Sequence, residues 1–228
     1  TEEAKKAYVP KMVAGEWIGA VAMTEPGAGS DLQGMRTTAM DQGDHFVMNG
    51  SKTFITNGYL SDVVVVAAKT DPTRGAKGIS LFLVDKDMPG FTKGVPFEKV
   101  GLHAQDTCEL FFEEVKIPKQ NLLGKLGEGF TYLMTELAQE RLVVALAAIA
   151  LSEYALKCTI DYVKQRKAFG KAISEFQNTR FKLAEMAAMV EQGRIYCDYL
   201  VQLHNEGKLD SAMASAAKYN MTELQCKV

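Results

Sequence analysis

One stretch of this sequence leaves little choice of structure. From residue 130 to about Arg166 the chain contains neither glycine nor proline, and its apolar residues recur at helical spacing. Glycine and proline are the residues that most strongly interrupt helices. The stretch therefore predicts one long helix. After a loop at residues 167–175, a second helix is predicted from about Gln177 to Asn205, and a third begins after Asp210, a residue typical of helix N-caps.

Residues 18–118 have a different character. Turn pairs such as Asn49-Gly50, Asn57-Gly58 and Pro89-Gly90 alternate with short β-rich segments. The predicted strands cover residues 36–40, 45–48, 63–68, 79–84 and 110–115. Short strands separated by turn signals predict an antiparallel barrel or sandwich of about 100 residues.

The order of these patterns along the chain predicts an α+β fold with three parts. Residues 1–17 are expected to be the end of an N-terminal helical domain, charged and broken at Pro10. A β-domain at residues 18–120 and an antiparallel helical bundle at residues 121–228 follow. Both ends of the sequence fall within helical patterns, so we expect the chain to be a fragment and its bundle to be incomplete.

Composition excludes several classes of function. The net charge of −2 provides no electrostatic basis for binding nucleic acid. The four cysteines are scattered, and no Cys/His spacing resembles a metal site or a disulfide framework, which favours free thiols in a reducing compartment. The longest apolar run, residues 142–151, is shorter than the roughly 20 residues of a membrane span. No signal peptide opens the chain, so a secreted protein is not expected.

A glycine-rich loop, M-T-E-P-G-A-G-S-D at residues 23–31, is the first candidate for ligand binding. Gly27 and Gly29 let the backbone approach a ligand closely. Thr24 and Ser30 add hydroxyl groups, and successive backbone N–H groups can form an anion-binding concavity. A plain surface turn would use the same residue types. The second candidate, F-I-T-N-G at residues 54–58, makes the loop more informative.

Together these two stretches resemble the acyl-CoA dehydrogenase family of flavoenzymes. Residues 24–31 match its T-E-P-G-A-G-S-D loop without a substitution, and residues 54–58 match its [W/F]-I-T-N-G strand end, with phenylalanine first. The resemblance implies FAD as the cofactor. The residues it assigns to FAD binding in these two stretches are Val21, Ala22, Met23, Thr24, Gly29, Ser30, Phe54, Ile55 and Thr56.

The resemblance also implies how these residues act. Residues 21–24 would lie along the pyrimidine side of the flavin ring, and the Thr56 hydroxyl would contact its N5 edge. Ser30 would face the pyrophosphate and the CoA moiety of the substrate. The alternative roles are capping of a strand end for Thr56 and stabilisation of a turn for Ser30.

A third motif, R-K-A-F-G-K at residues 166–171 followed by Phe176-Gln177, resembles the family's R-x-x-F-G-K…[H/F]-Q segment. In the family this loop crosses a dimer interface, which implies a homodimer or homotetramer. Arg166 would contact the FAD pyrophosphate of the neighbouring subunit, as suits a guanidinium fork. Phe169, Phe176 and Gln177 would lie near the adenosine end. The alternative is a basic loop with solvated charges.

The long helix carries the candidate general base. Glu140 falls among apolar residues at helical spacing, which predicts that it lies within a buried stripe. The members of that stripe are Leu133, Leu137, Val144, Ala148 and Leu151. Burial favours the protonated form of a carboxyl group and makes a glutamate a usable base near neutral pH. The alternative is a satisfied ion pair with Arg141 or with a lysine on another element.

The resemblance supports the first of these readings. In long-chain and isovaleryl-type members the base lies on this helix, in a tripeptide like Gln139-Glu140-Arg141. It therefore assigns the base to Glu140 and a substrate-side positioning role to Arg141. The implied reaction, part of fatty acid β-oxidation, removes a proton from Cα of a fatty acyl-CoA and a hydride from Cβ to flavin N5, which gives trans-2-enoyl-CoA.

The implied electron acceptor is an electron-transfer flavoprotein. The implied location is the cytoplasm of a bacterium or the mitochondrial matrix of a eukaryote. Two alternatives remain open: an acyl-CoA oxidase that uses oxygen, and a non-catalytic relative that acts in assembly or acyl-CoA binding.

Overall fold

The structure, a computed structural model, describes residues 1–228 and divides into two compact units, residues 1–133 and residues 134–228. The helices are α1 (Glu2–Val13), α2 (Gly129–Gln165), α3 (Gln177–Asn205) and α4 (Ser211–Lys227). The strands are β1 (Gly19–Ala22), β2 (Thr38–Asp41), β3 (His45–Thr56), β4 (Val63–Lys69), β5 (Ile79–Asp85), β6 (Phe91–Lys93), β7 (Thr107–Pro118), β8 (Leu122–Leu123), β9 (Lys167–Ala168) and β10 (Lys171–Ala172).

The first unit is built on an eight-stranded sheet in the order β6-β7-β3-β2-β4-β5-β8, with β1 paired to β4. The predicted α+β class is confirmed. The sheet is mixed, however, because β1 and β2 both run parallel to β4 whereas the other pairs are antiparallel. A parallel pair needs a long connection. The chain between β1 and β4 provides it, and that connection contains the glycine-rich loop.

The core of the first unit follows the alternation expected of strands. Phe46 and Met48 of β3 are buried and pack with Phe82 of β5 and Phe112 of β7. A smaller apolar cluster lies beside it and includes Ala28 of the glycine-rich loop. Partly buried residues at the start of α2, namely Phe130, Tyr132 and Leu133, pack against this cluster. The beginning of α2 is thus fixed to the sheet next to the loop.

Helix α1 continues through Pro10, so the predicted break at this residue is wrong. Proline removes the N–H that would bond the carbonyl of Lys6. The helix has no buried residue, and an exposed carbonyl can bond water instead. Tyr8 anchors α1 to the sheet: its hydroxyl donates to Asp85 Oδ2 at 3.1 Å and accepts from Asn121 Nδ2 at 3.2 Å.

The Asp85 carboxyl at this anchor should weaken the fold as the pH rises. Burial raises its pKa, and its Oδ1 atom is buried without a hydrogen-bond partner. A raised pKa means that the folded state holds the proton more tightly than the unfolded state, so stability is lost as the pH rises through the folded-state pKa. We expect Asp85→Asn, which keeps an acceptor for Tyr8, to raise the unfolding temperature at pH 7. The gain should vanish below about pH 4, the unfolded value; equal gains at both pH values would contradict this explanation.

The second unit contains most of α2 together with α3 and α4, and the predicted bounds of α3 are confirmed. Its core joins Leu142, Ala145 and Ile149 of α2 to buried residues of α3 and α4. Asp210 caps α4 as predicted, since its carboxylate accepts from the Met213 N–H at 2.7 Å. By length and composition α2 could also cross a membrane. Core helices of soluble proteins have the same properties, and the absence of a membrane span stays a prediction.

Candidate functional site

Both ligand-binding stretches predicted in the first unit lie together in the structure. The Thr53 N–H donates to the Thr24 carbonyl at 2.9 Å. The Lys52 ammonium group donates to the Met23 carbonyl at 3.0 Å and to Glu25 Oε1 at 2.8 Å. These bonds join the glycine-rich loop to the end of β3, so residues 21–30 and 54–56 belong to one site.

Lys52 and Glu25 form a buried ion pair that the sequence analysis did not single out. Their side chains are 0% and 6% exposed. Glu25 Oε2 also accepts from the Arg36 N–H at 2.5 Å, and Oε1 accepts from the Thr37 N–H at 3.0 Å. Burial alone would raise the pKa of Glu25, but the bonds from Arg36, Lys52 and Thr37 hold that pKa below its usual value. Burial lowers the pKa of Lys52, and the Glu25 carboxylate beside it opposes that shift.

The end of β3 has an irregular backbone. Its register against β7 shifts between Lys52 and Ile55, which marks a β-bulge. Phe54 within the bulge has φ of 58°, and Asn57 just beyond has φ of 59°. The Phe54 ring is 67% exposed and lies 5.5 Å from the Phe97 ring, whereas Ile55 is buried in the core. The bulge thus exposes Phe54 and Thr56 and turns Ile55 inward.

The chemistry of this site suits an anionic, hydroxyl-bonding ligand such as a dinucleotide. The hydroxyls of Thr24, Ser30 and Thr56 make no hydrogen bond within the chain, and the backbone N–H groups of Gly29 and Ser30 have no protein acceptor. A Cβ atom added at Gly29 would meet no protein atom within 4 Å. Free donors beside open space can form an anion-binding concavity. Ala22 is fully buried in the core of the first unit.

The predicted burial of Glu140 is wrong, because its side chain is exposed. The buried residues of α2 in the turns after Glu140, namely Leu142, Ala145, Ala148 and Ile149, lie about 80–200° around the helix from it, so of the predicted stripe Ala148 is buried. Glu140 instead lies on an exposed apolar face with Val144 and Leu151, which are 40% and 55% exposed. The helical period identified an apolar face correctly, but a different face of α2 packs into the core of the second unit.

The other predicted residues of the second unit are also at its surface. Arg141 Nη1 donates to Ser211 Oγ at 3.0 Å, which ties it to the start of α4. Arg166 and Gln177 are exposed and form no ion pair. Between them β9 and β10 form a hairpin whose tip carries Phe169, 95% exposed with φ of 51°. The Phe169 and Phe176 rings lie edge to face, 6.2 Å apart.

Comparisons with known proteins agree with this architecture. Residues 20–115 match the family model described as "Acyl-CoA dehydrogenase, middle domain", and residues 127–228 match "Acyl-CoA dehydrogenase, C-terminal domain". The mitochondrial long-chain specific acyl-CoA dehydrogenase of Sus scrofa is 53% identical over 100% of this chain and 54% of its own length. The chain spans about half the length of the curated relatives it matches.

Two solved structures have the same fold. The acyl-CoA dehydrogenase from Geobacillus kaustophilus is 54% identical with a TM-score of 0.96, and the match covers 99% of this chain and 60% of that one. A structure described as the electron transferring flavoprotein of Acidaminococcus fermentans is 43% identical with a TM-score of 0.94. That match covers 98% of this chain and 59% of the other.

Proposed function

Because this chain belongs to the acyl-CoA dehydrogenase family, we propose that it supplies the flavin site and the general base of an FAD-dependent acyl-CoA dehydrogenase. The observation that carries the proposal is the joining of the two predicted flavin-binding stretches by Lys52 and Thr53. Two separate sequence motifs meet in one place, with free hydroxyls and backbone donors facing open space. The enzyme would act on fatty acyl-CoA thioesters.

The first unit would hold the flavin through backbone and hydroxyl groups. The backbone of residues 21–24 and the hydroxyls of Thr24 and Thr56 would bind the ring system. The exposed Phe54 would contact the ring, and the buried Ile55 would hold the strand end in place from the core. Gly29 and Ser30 would receive the pyrophosphate, where free N–H groups suit an anion. In the second unit Arg166, Phe169, Phe176 and Gln177 would bind the cofactor of a neighbouring subunit. Arg166, Phe169 and Gln177 are exposed, which leaves them available to a partner and supports this assignment.

The chemistry requires a base and an oriented substrate. Glu140 would accept the proton from Cα of the thioester, while FAD, when bound, supplies the acceptor for the hydride that leaves Cβ. The exposed apolar side chains of Val144 and Leu151 beside Glu140 offer a surface for an acyl chain. Arg141, held by Ser211, would fix the orientation of the base and contact the substrate. Alignment of these groups is the main contribution of the protein.

Anaerobic mixing of the FAD-loaded, intact protein with acyl-CoA tests the proposal. We expect the flavin absorbance near 450 nm, roughly the usual maximum of oxidised flavins, to bleach on the timescale of turnover. A non-catalytic relative would bind acyl-CoA without bleaching. An oxidase would bleach too, but would form peroxide stoichiometrically once air is admitted. Absence of FAD from the purified intact protein would refute the flavoenzyme assignment itself.

The partners and location follow from the same assignment. We propose an electron-transfer flavoprotein as electron acceptor, the partner that the family resemblance implies; the description of one matched solved structure names such a protein. A homodimer or homotetramer would bring the β9–β10 hairpin to a second subunit. The protein would work in the mitochondrial matrix of a eukaryote or in the cytoplasm of a bacterium. Relatives from a mitochondrion and from bacteria are consistent with either location.

A further inference from the structure

The two flavin-binding stretches are held together by one charged side chain. Lys52 lies on β3 just before the bulge, and its ammonium group reaches the Met23 carbonyl at 3.0 Å as well as Glu25 Oε1 at 2.8 Å. Both acceptors belong to the glycine-rich loop. In addition to the Thr53–Thr24 backbone bond, Lys52, two residues before the other stretch, therefore anchors the loop at its backbone and at a side chain.

The same pair also orders the chain beyond the loop. Glu25 accepts hydrogen bonds from the N–H groups of Arg36 and Thr37 at 2.5 and 3.0 Å, so the carboxylate also fixes the return of the loop to β2. The Glu25 backbone pairs with Ala28 in a tight bridge. One carboxylate thus sets both ends of the segment that carries Gly29 and Ser30.

Neither charge has access to solvent that could replace its partner. Lys52 is 0% exposed and Glu25 is 6% exposed. Burying two charges costs several kcal/mol per ion, and a buried ion pair is weak evidence for stability alone. The bonds of this pair end on the glycine-rich loop and on its return to β2, which is better explained by a need to fix the geometry of the loop than by a gain in stability.

We propose that Lys52 and Glu25 are positioning residues that fix the flavin-binding loop against the end of β3. This inference rests on the proposed flavin site. Neither residue contacts the ligand in this assignment. They act by holding the Met23–Thr24 backbone, which would face the flavin ring, at a set distance from Thr56. The prediction concerns flavin affinity and the flavin environment as well as folding.

The test compares three variants of the intact protein. Lys52→Met keeps the aliphatic stem but removes the ammonium group and leaves Glu25 unpaired. Adding Glu25→Gln to it removes the buried charge while keeping an acceptor oxygen for one of the N–H groups of Arg36 and Thr37. Lys86→Met is the control, because it breaks an ion pair with Asp62 at the ends of β4 and β5 in which the lysine is 47% exposed, 2.8 Å between charged atoms. Each variant is measured for thermal unfolding without FAD, for FAD dissociation constant and for the visible circular dichroism of bound flavin.

We expect Lys52→Met to lower the unfolding temperature and to raise the FAD dissociation constant by about tenfold or more, the equivalent of one lost charged hydrogen bond. The double variant should recover unfolding temperature but keep the weakened FAD binding and the altered flavin spectrum. Lys86→Met should match the wild type in unfolding temperature, in FAD affinity and in the flavin spectrum.

Two results would overturn the inference. One is a double variant that regains wild-type FAD affinity and flavin spectrum, since the pair would then act through stability alone. The other is Lys52→Met with unchanged FAD binding at a temperature where it is folded. A wild-type protein that binds no FAD would instead refute the proposed function, so the two failures are distinguishable.

Discussion

Replacing Glu140 with glutamine in the intact protein should lower acyl-CoA turnover by about 1,000-fold or more and leave FAD binding unchanged. Glutamine has nearly the same shape as glutamate but cannot accept the Cα proton. The exposed position of Glu140, outside the core of the second unit, means that this substitution should not disturb folding. Steady-state turnover, FAD content and unfolding temperature of the same sample separate these effects.

Glu136→Gln is the matched control for this experiment. Glu136 lies one turn earlier on α2 and is also exposed, so the same loss of charge occurs on the same helix. We expect this control to retain turnover within a few fold of the wild type. Near-native turnover of Glu140→Gln would refute its assignment as the base. Loss of turnover only in Glu136→Gln would indicate that Glu136, one turn earlier, is the base.

Gly90→Ala should destabilise the first unit severely. Gly90 has φ of 85°, and a Cβ atom there would lie 2.1 Å from the Glu113 carbonyl oxygen. That atom belongs to backbone and cannot move aside as a flexible side chain could. Gly90 precedes β6, which pairs with β7 and carries Lys93, whose ammonium group donates to the carbonyls of Tyr59 and Ser61. The disturbance should therefore extend to the turn that follows the end of β3.

Gly43→Ala separates the steric collision from backbone strain. Gly43 has φ of 96°, but an added Cβ atom would meet nothing within 4 Å. Left-handed backbone alone costs a non-glycine residue about 1–2 kcal/mol. We expect Gly90→Ala to lower the free energy of unfolding by about 2 kcal/mol more than Gly43→Ala does, as overpacking adds about 1–3 kcal/mol. Equal losses in urea denaturation would show that the collision is relieved without cost.

The long helices could be predicted because their signals are local. Neither glycine nor proline interrupts α2, and the end of α3 at Asn205 and the Asp210 cap of α4 follow from nearby residue types. The bounds of β3 were harder to predict. This strand runs on to Thr56, through Asn49-Gly50, because the pair stays in the strand at a register shift where β7 carries the extra residue.

Local sequence patterns predict the site residues less well than they predict the helices. Periodicity identified an apolar face around Glu140, but it contains no information on which face of α2 a neighbouring helix covers. For Lys52, by contrast, the alternation of residues along β3 does contain a signal. Lys52 continues the even-numbered face of β3 that Phe46 and Met48 define, so alternation places a lysine toward the core. A charge at a core position predicts a partner, although not which one.

No local sequence pattern predicts the positive φ of Phe54. A left-handed residue is expected to be glycine or asparagine, and phenylalanine adopts this backbone only where its surroundings enforce it. Here the bulge in β3 and the packing of Ile55 into the core provide that enforcement. These are contacts with residues far along the sequence, which a local pattern does not contain.

The Lys52–Glu25 pair also restricts how this sequence can diverge. Losing either member alone leaves a buried charge without its counterpart, at a cost of about 3–5 kcal/mol, a large share of the stability of an ordinary domain. A lineage that replaces one member would pass through a poorly folded ancestor unless the other changes in the same step. Positions 25 and 52 are thus expected to be inherited together, and the loop between them is free to vary only within the frame that the pair defines.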